Sequence, residues 1–85
     1  MNTTMIIFTK HAKEKFGVLA RHGFKVEVQD VLDTVNTPNK LDLSRLPLLI
    51  AQRQIDNKHV LRVVYKRQRE VKKIITFYPG RDKKY

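Results

Sequence analysis

The first half of the chain carries apolar residues at helical spacing. Between residues 10 and 21 they fall at i, i+4 and i+7, which predicts a helix with the stripe Ala12, Phe16 and Leu19. A second stripe at i, i+3, i+4 and i+7 predicts another helix: Val28, Val31, Leu32 and Val35. Thr9 is placed to cap the first helix, and Asn36-Thr37-Pro38-Asn39 ends the second. Ahead of both, the apolar run Met5-Ile6-Ile7-Phe8 predicts a short strand.

The pattern changes in the second half of the chain. Lys40 to Pro47 has the composition of a loop, and three runs rich in β-branched residues then predict strands: Leu48 to Ile55, His59 to Arg67 and Val71 to Tyr78. The polar turns between these runs, 56–58 and 68–70, are short, so neighbouring strands should be antiparallel. The predicted fold is therefore one α+β domain over residues 1–85, with a short N-terminal strand, two helices and a three-stranded antiparallel meander.

The two last strands predict a sheet face that the helices leave uncovered. If the turn spans residues 68–70, one face carries the core residues Leu61, Val63, Tyr65, Ile75 and Phe77. The opposite face then collects Arg62, Val64, Lys66, Lys72, Ile74, Thr76 and Tyr78. Cations for phosphates and a ring for stacking suit such a face to RNA. Arg53 joins it if the first hairpin loop is only Asn57-Lys58, and turns toward the helices if the loop is 56–58.

Charge strengthens the prediction of an acidic partner. The net charge is +10, and its distribution is uneven: residues 1–42 carry 6 basic and 5 acidic side chains, whereas residues 43–85 carry 12 and 3. Single-sign clustering of this kind predicts nucleic acid, an acidic protein or an anionic surface as partner, although a solvated surface is the alternative. No run is long enough for a membrane helix, and without cysteine or a signal-like start we expect a cytoplasmic protein.

The residues near the end of the chain resemble a known family. The segment from His59 to Tyr65, a basic turn, and Lys73 to Arg81 with its Tyr-Pro-Gly-Arg ending are similar to the last part of RelE-type toxins. The order of elements also resembles the RelE/ParE superfamily, including BrnT-type toxins and an uncharacterised RelE-like branch. The resemblance is specific over roughly residues 59 to 85. It implies a RelE-like fold and the toxin of a type II toxin–antitoxin pair, an endoribonuclease that acts on mRNA at the ribosome and is neutralised by a cognate antitoxin.

The resemblance also implies site residues. Arg62 matches the strand arginine that contacts the scissile phosphate, Arg81 the basic residue after the glycine, and Tyr85 the C-terminal catalytic tyrosine, at a shorter spacing. The family's lysine pair before the first hairpin has no clear counterpart, with Arg53 the nearest candidate. For Arg62 the alternative is an ion pair with Asp56 or Asp82. The tail, with Lys83 and Lys84 as further RNA-binding candidates, could instead be a solvated end.

His11 is a candidate base outside the matched segment. It lies at the start of the predicted first helix, where the helix dipole disfavours a cationic ring, so a neutral form able to accept a proton is expected. The alternative is a histidine that only packs. Three scattered histidines without paired spacing predict no metal site, and no glycine-rich phosphate loop or other cofactor motif is present. Two other functions stay open: a non-catalytic RNA-binding module, and a toxin that blocks a protein target such as gyrase, as ParE relatives do.

Overall fold

Both predicted helices form, and their ends follow the local sequence. The computed structural model describes residues 5–81. Helix α1 spans Lys10–Arg21, and the side chain of Thr9 caps it by accepting a hydrogen bond from the amide of Ala12 at 3.1 Å. Helix α2 spans Val28–Asn36 and begins at a capping box, in which Asp30 accepts the amide hydrogen of Glu27 at 2.8 Å.

Five strands form one mixed sheet. They are β1 (Met5–Phe8), β2 (Lys40–Asp42), β3 (Leu48–Gln54), β4 (His59–Gln68) and β5 (Val71–Arg81). Their order is β1-β5-β4-β3-β2, with β1 parallel to β5 and all other pairs antiparallel. The α+β class is confirmed. The predicted three-stranded meander corresponds to β3, β4 and β5, but the sheet is wider because β1 and β2 extend it on either side.

Strand β2 lies where the sequence pattern predicts a loop. It has only three residues, too few to show a period-2 alternation. The strand exists because its backbone pairs with β3, where Lys40 is opposite Gln52 and Asp42 is opposite Ile50. A tertiary contact therefore overrides a weak local signal.

The β4–β5 hairpin differs from the expected register, and the difference changes the side of the sheet on which several β5 side chains lie. The turn contains two residues, Arg69-Glu70, and Arg69 adopts a φ of 56°. Farther along β5 the pairing shifts, so that Ile75 lies unpaired between Ile74 and Thr76 in a β-bulge. As a result Ile74, rather than Ile75, is fully buried in the core, and Lys72 lies on the helix side.

The core fills the space between the helices and one face of the sheet. Phe16 of α1 lies against Phe77 of β5, with ring centroids 4.6 Å apart, and against Phe8 of β1 at 5.9 Å. The core cluster contains buried residues from both helices and from β3, β4 and β5, with Phe8 and Ile6 of β1 packed against it. The opposite sheet surface, which we call the free face, therefore carries no helix of the described chain. No helix within residues 5–81 is long and apolar enough to cross a membrane.

Candidate nucleic-acid interface

Four polar side chains form a row across the free face. Paired positions on adjacent strands place Lys40, Gln52, Arg62 and Tyr78 side by side on β2, β3, β4 and β5. With neighbouring strands ~4.8 Å apart, the row is about 14 Å long. Tyr78 is 37% exposed, so its ring is accessible to a ligand. We call these four residues the polar row.

Arg62 occupies the centre of the polar row. Alternation along β4 directs Leu61 and Val63 into the core and leaves Arg62 on the other face. Its Nε donates a hydrogen bond to Oε1 of Gln52 at 3.0 Å. Among the described residues no carboxylate forms an ion pair with Arg62, because Asp56 is bonded to His59 instead, with Oδ1 3.0 Å from Nδ1. Asp82, the other alternative partner, lies outside the described residues.

Gly80 makes room for the Arg62 guanidinium. A Cβ atom at position 80 would lie 2.9 Å from Cζ of Arg62 and would collide with Nη1. The backbone of β5 therefore approaches the guanidinium more closely than any other residue type would allow. Gln52 on one side and Gly80 on the other together hold Arg62 in its present orientation.

A depression of about 500 Å³ lies on the free face, along the polar row. Its apolar part consists of Leu48, Ile50 and Val64, which lie next to the row on β3 and β4. Asp42 and Arg45 complete it at the β2 end. Lys40, Gln52, Arg62 and Tyr78 also line it.

The carboxylate of Asp42 is held by hydrogen bonds from the turn that follows β2. Its Oδ1 accepts hydrogen bonds from the amide and the hydroxyl of Ser44, at 2.9 and 2.6 Å. These bonds, foremost the one from the hydroxyl, hold the pKa of Asp42 below its ordinary value, and the cations of Arg45 and Lys40 act in the same direction. Asp42 is therefore ionised at neutral pH.

The free face carries basic residues on both sides of its apolar part. Lys66 and Lys73 are direct cross-strand partners level with Leu48, at the end of the apolar part away from the polar row, and both are exposed. Like charges placed opposite each other destabilise a sheet, so this pair favours an anion that would neutralise it. On the described part of the free face and the β2–β3 connection, five cations accompany the single carboxylate of Asp42: Lys40, Arg45, Arg62, Lys66 and Lys73.

The predicted RNA-binding residues divide between the two faces. Arg62, Lys66, Thr76 and Tyr78 share the free face, as predicted. Arg53 does not, because the β3–β4 register pairs it with Leu61 rather than Arg62. Its Nη1 donates a hydrogen bond to the carbonyl oxygen of Thr37 at 2.9 Å, and so provides a partner for a backbone carbonyl at the C-terminal end of α2.

Lys72 was predicted on the free face, and this placement is wrong. The two-residue turn puts it on the helix side, where its Nζ lies 5.9 Å from the centroid of the Tyr65 ring. Burial raises the pKa of that Tyr65 hydroxyl. Lys73 takes the free-face position instead.

The predicted catalytic residues do not converge on Arg62. Arg81 is paired with His59. It lies on the same side of the sheet as Leu61, which is opposite to the side of Arg62. His11 is exposed in the first turn of α1, in the helix layer. Tyr85, Lys83 and Lys84 lie outside the described residues. Within residues 5–81, no three His, Asp or Glu side chains lie close enough together to hold a metal ion.

Comparisons with protein-family models, with curated proteins and with solved structures find no match to this chain. Sequence reasoning missed Lys40, Gln52, Asp42 and Arg45 as members of this site. The sequence pattern gives no indication of Lys40, Asp42 and Arg45, because β2 and the turn after it could not be recognised from it. Gln52 follows from the strand pattern only once the β3–β4 register is known.

Proposed function

We propose that this chain is the toxin of a type II toxin–antitoxin pair and a metal-independent endoribonuclease that binds mRNA on its free face. The observation that supports this most strongly is the setting of Arg62. It lies over Gly80 and beside Tyr78, and forms no ion pair with a described carboxylate. An arginine held this way on an open face is available for a phosphate group. The resemblance of residues 59–85 to RelE-type toxins points to the same residue.

The polar row suits the charge that develops during RNA cleavage. When the 2′-hydroxyl attacks the phosphate, negative charge grows on the phosphorane oxygens, and the fork of Arg62 can bind two of them. Lys40 adds a second cation in the same row. Tyr78 carries the hydroxyl nearest in register to Arg62 and is the described candidate for proton transfer. Tyr85 remains the candidate that the resemblance implies.

A non-catalytic RNA-binding module is the second candidate. It is favoured by the position of His11 and Arg81, neither of which shares a face with Arg62. Such a module needs only the cations and the ring of the free face. A toxin that blocks a protein target such as gyrase would need neither RNA binding nor cleavage.

The proposed partner protein is an antitoxin that covers the free face. Five cations and the exposed ring of Tyr78 favour a segment that combines acidic and apolar residues. Since its RNA substrate is in the cytoplasm, we propose that the pair acts there. Co-purification of the chain with the product of a neighbouring gene would identify this partner.

Induced expression in a bacterial host is expected to stop growth and to produce new 5′ ends in mRNA. The purified chain is then incubated with the same mRNA, once alone and once with added ribosomes, and we expect cleavage in at least the second reaction. Cleavage in the second reaction only would show that the ribosome is required. Growth arrest with intact RNA would instead support a protein target. Harmless expression of a folded chain that binds RNA would support the non-catalytic module.

A further inference from the structure

We propose that the depression on the free face is a nucleobase subsite, in which Asp42 accepts a hydrogen bond from a base that carries an exocyclic amino group. The inference rests on the proposed function in one respect, because it takes single-stranded RNA as the ligand of the free face. It adds the part of the nucleotide that the depression binds and the residue that selects it.

The surface beside Arg62 has the chemistry that a base requires. A nucleobase is flat and apolar on its faces, and its polar groups are confined to its edges. Leu48, Ile50 and Val64 give the depression an apolar area, while its other lining residues are polar. A volume of about 500 Å³ is large enough for one nucleotide. A purely phosphate-binding surface would have no need of the apolar area.

The spacing between the two ends of the depression suits a single nucleotide. Arg62 and Asp42 lie on β4 and β2, with β3 between them and an offset of two residues along the strands. Two strand spacings and a two-residue rise put their Cα atoms about 12 Å apart. Side chains that extend from these positions leave room for a phosphate at Arg62 and a base edge at Asp42.

Asp42 has one oxygen available to a ligand. Both described hydrogen bonds of this carboxylate, from the amide and the hydroxyl of Ser44, end on Oδ1. Oδ2 accepts none from a described residue and retains its acceptor capacity. Among the described residues that line the depression, Asp42 is also the single carboxylate, and the others with charge are cations.

An ionised carboxylate distinguishes bases by their donors. It accepts from the exocyclic amino groups of adenine, cytosine and guanine. Uracil has no amino group, and its single donor, N3–H, lies between two carbonyl oxygens that repel a carboxylate. The Ser44 hydrogen bonds keep Asp42 ionised, which makes it a poor general base at neutral pH. This state suits recognition rather than proton transfer.

The test measures the binding of four RNA heptamers with 2′-O-methyl sugars, which prevent cleavage. One is all uridine, and the others carry a single central adenosine, cytidine or guanosine. At least one of the three should bind about tenfold more tightly than the uridine heptamer, the effect of one good base-edge contact. Asp42→Asn keeps the size of the side chain and an acceptor for Ser44 but presents an amide donor. The preference should then disappear or turn toward uridine.

Asp56→Asn is the matched control, because it removes the same charge at an exposed site in the β3–β4 connection, outside the depression. This variant should keep the preference of the parent. Equal binding of all four heptamers by the parent would overturn the subsite while leaving RNA binding in place. An unchanged preference in Asp42→Asn would overturn the role of Asp42. Failure of the parent to bind any heptamer would overturn the proposed RNA ligand as well.

Discussion

Arg62→Ala is expected to lower RNA cleavage by ~10²-fold or more and to abolish growth arrest, while loss of the hydrogen bond to Gln52 lowers the free energy of unfolding by only about 1 kcal/mol. The side chain lies on the free face, outside the core formed by Leu61, Val63 and Phe77. Its removal therefore takes away stabilisation of the phosphorane without opening a cavity. Arg62→Lys should restore activity only in part, because a single ammonium cannot replace the two-pronged guanidinium. Cleavage rates and melting curves of the same preparations provide the measurement.

Arg53→Ala is the matched control for this prediction. It removes the same residue type and charge from the neighbouring strand, but from the helix side of the sheet. Loss of the hydrogen bond to Thr37 should lower the free energy of unfolding by about 1 kcal/mol and leave cleavage unchanged. If Arg62→Ala instead lost ~3–5 kcal/mol of stability, Arg62 would belong to a buried ion pair and not to an RNA site. A folded Arg62→Ala protein with the cleavage rate of the parent would remove the central residue of the site.

Gly80→Ala is expected to reduce RNA cleavage by ~10²-fold through its effect on Arg62. The new methyl group would occupy space now taken by the guanidinium, whose Cζ lies 2.9 Å from the ideal Cβ position. The flexible arginine can move aside, so the cost in stability is small, but its displacement by an ångström or more removes it from the phosphate. The free energy of unfolding should stay the same or rise slightly, since alanine is favoured over glycine inside a strand. Kinetics and urea denaturation measure the two effects separately.

Gly17→Ala provides the comparison, because a Cβ at that exposed helical position would have no neighbour within 4 Å. This variant should gain up to about 1 kcal/mol of stability and cleave RNA like the parent. A double variant tests the proposed connection. In the Arg62→Ala background, Gly80→Ala should cause no further loss, because the side chain that it displaces is absent. Independent, additive losses would show that Gly80 acts on something other than Arg62.

Local patterns were sufficient for much of the fold. Helix α1 carries its stripe and its cap within one segment, and the runs that form β3, β4 and β5 are long enough for their type to be recognised. The same patterns correctly placed Leu61, Val63, Tyr65 and Phe77 in the core. Arg62 followed from alternation on one strand alone, which is why its face could be predicted.

Pairing between strands accounts for the incorrect predictions. A turn shorter by one residue reversed the faces of Lys72 and Ile74, because a one-residue shift moves a side chain across the sheet. The bulge at Ile75 then restored the predicted faces of Phe77 and Tyr78. For Arg53, the sequence allowed two loop lengths and the register selects the one that directs it to the helices. The β2 side of the site was not predictable, since Lys40 and Asp42 join the face only through their pairing with β3.

The central claim is that RNA binds on the free face, around the polar row. An NMR titration of the isotope-labelled chain with single-stranded RNA tests it most directly, because each residue reports separately. We expect the largest shift changes at Gln52, Arg62 and Tyr78, and at Lys66 and Lys73 as the RNA extends along the face. Arg53, Lys72 and His11, which lie on the helix side or in the helix layer, should be unaffected. Changes confined to that side, with the polar row unmoved at saturation, would contradict the account.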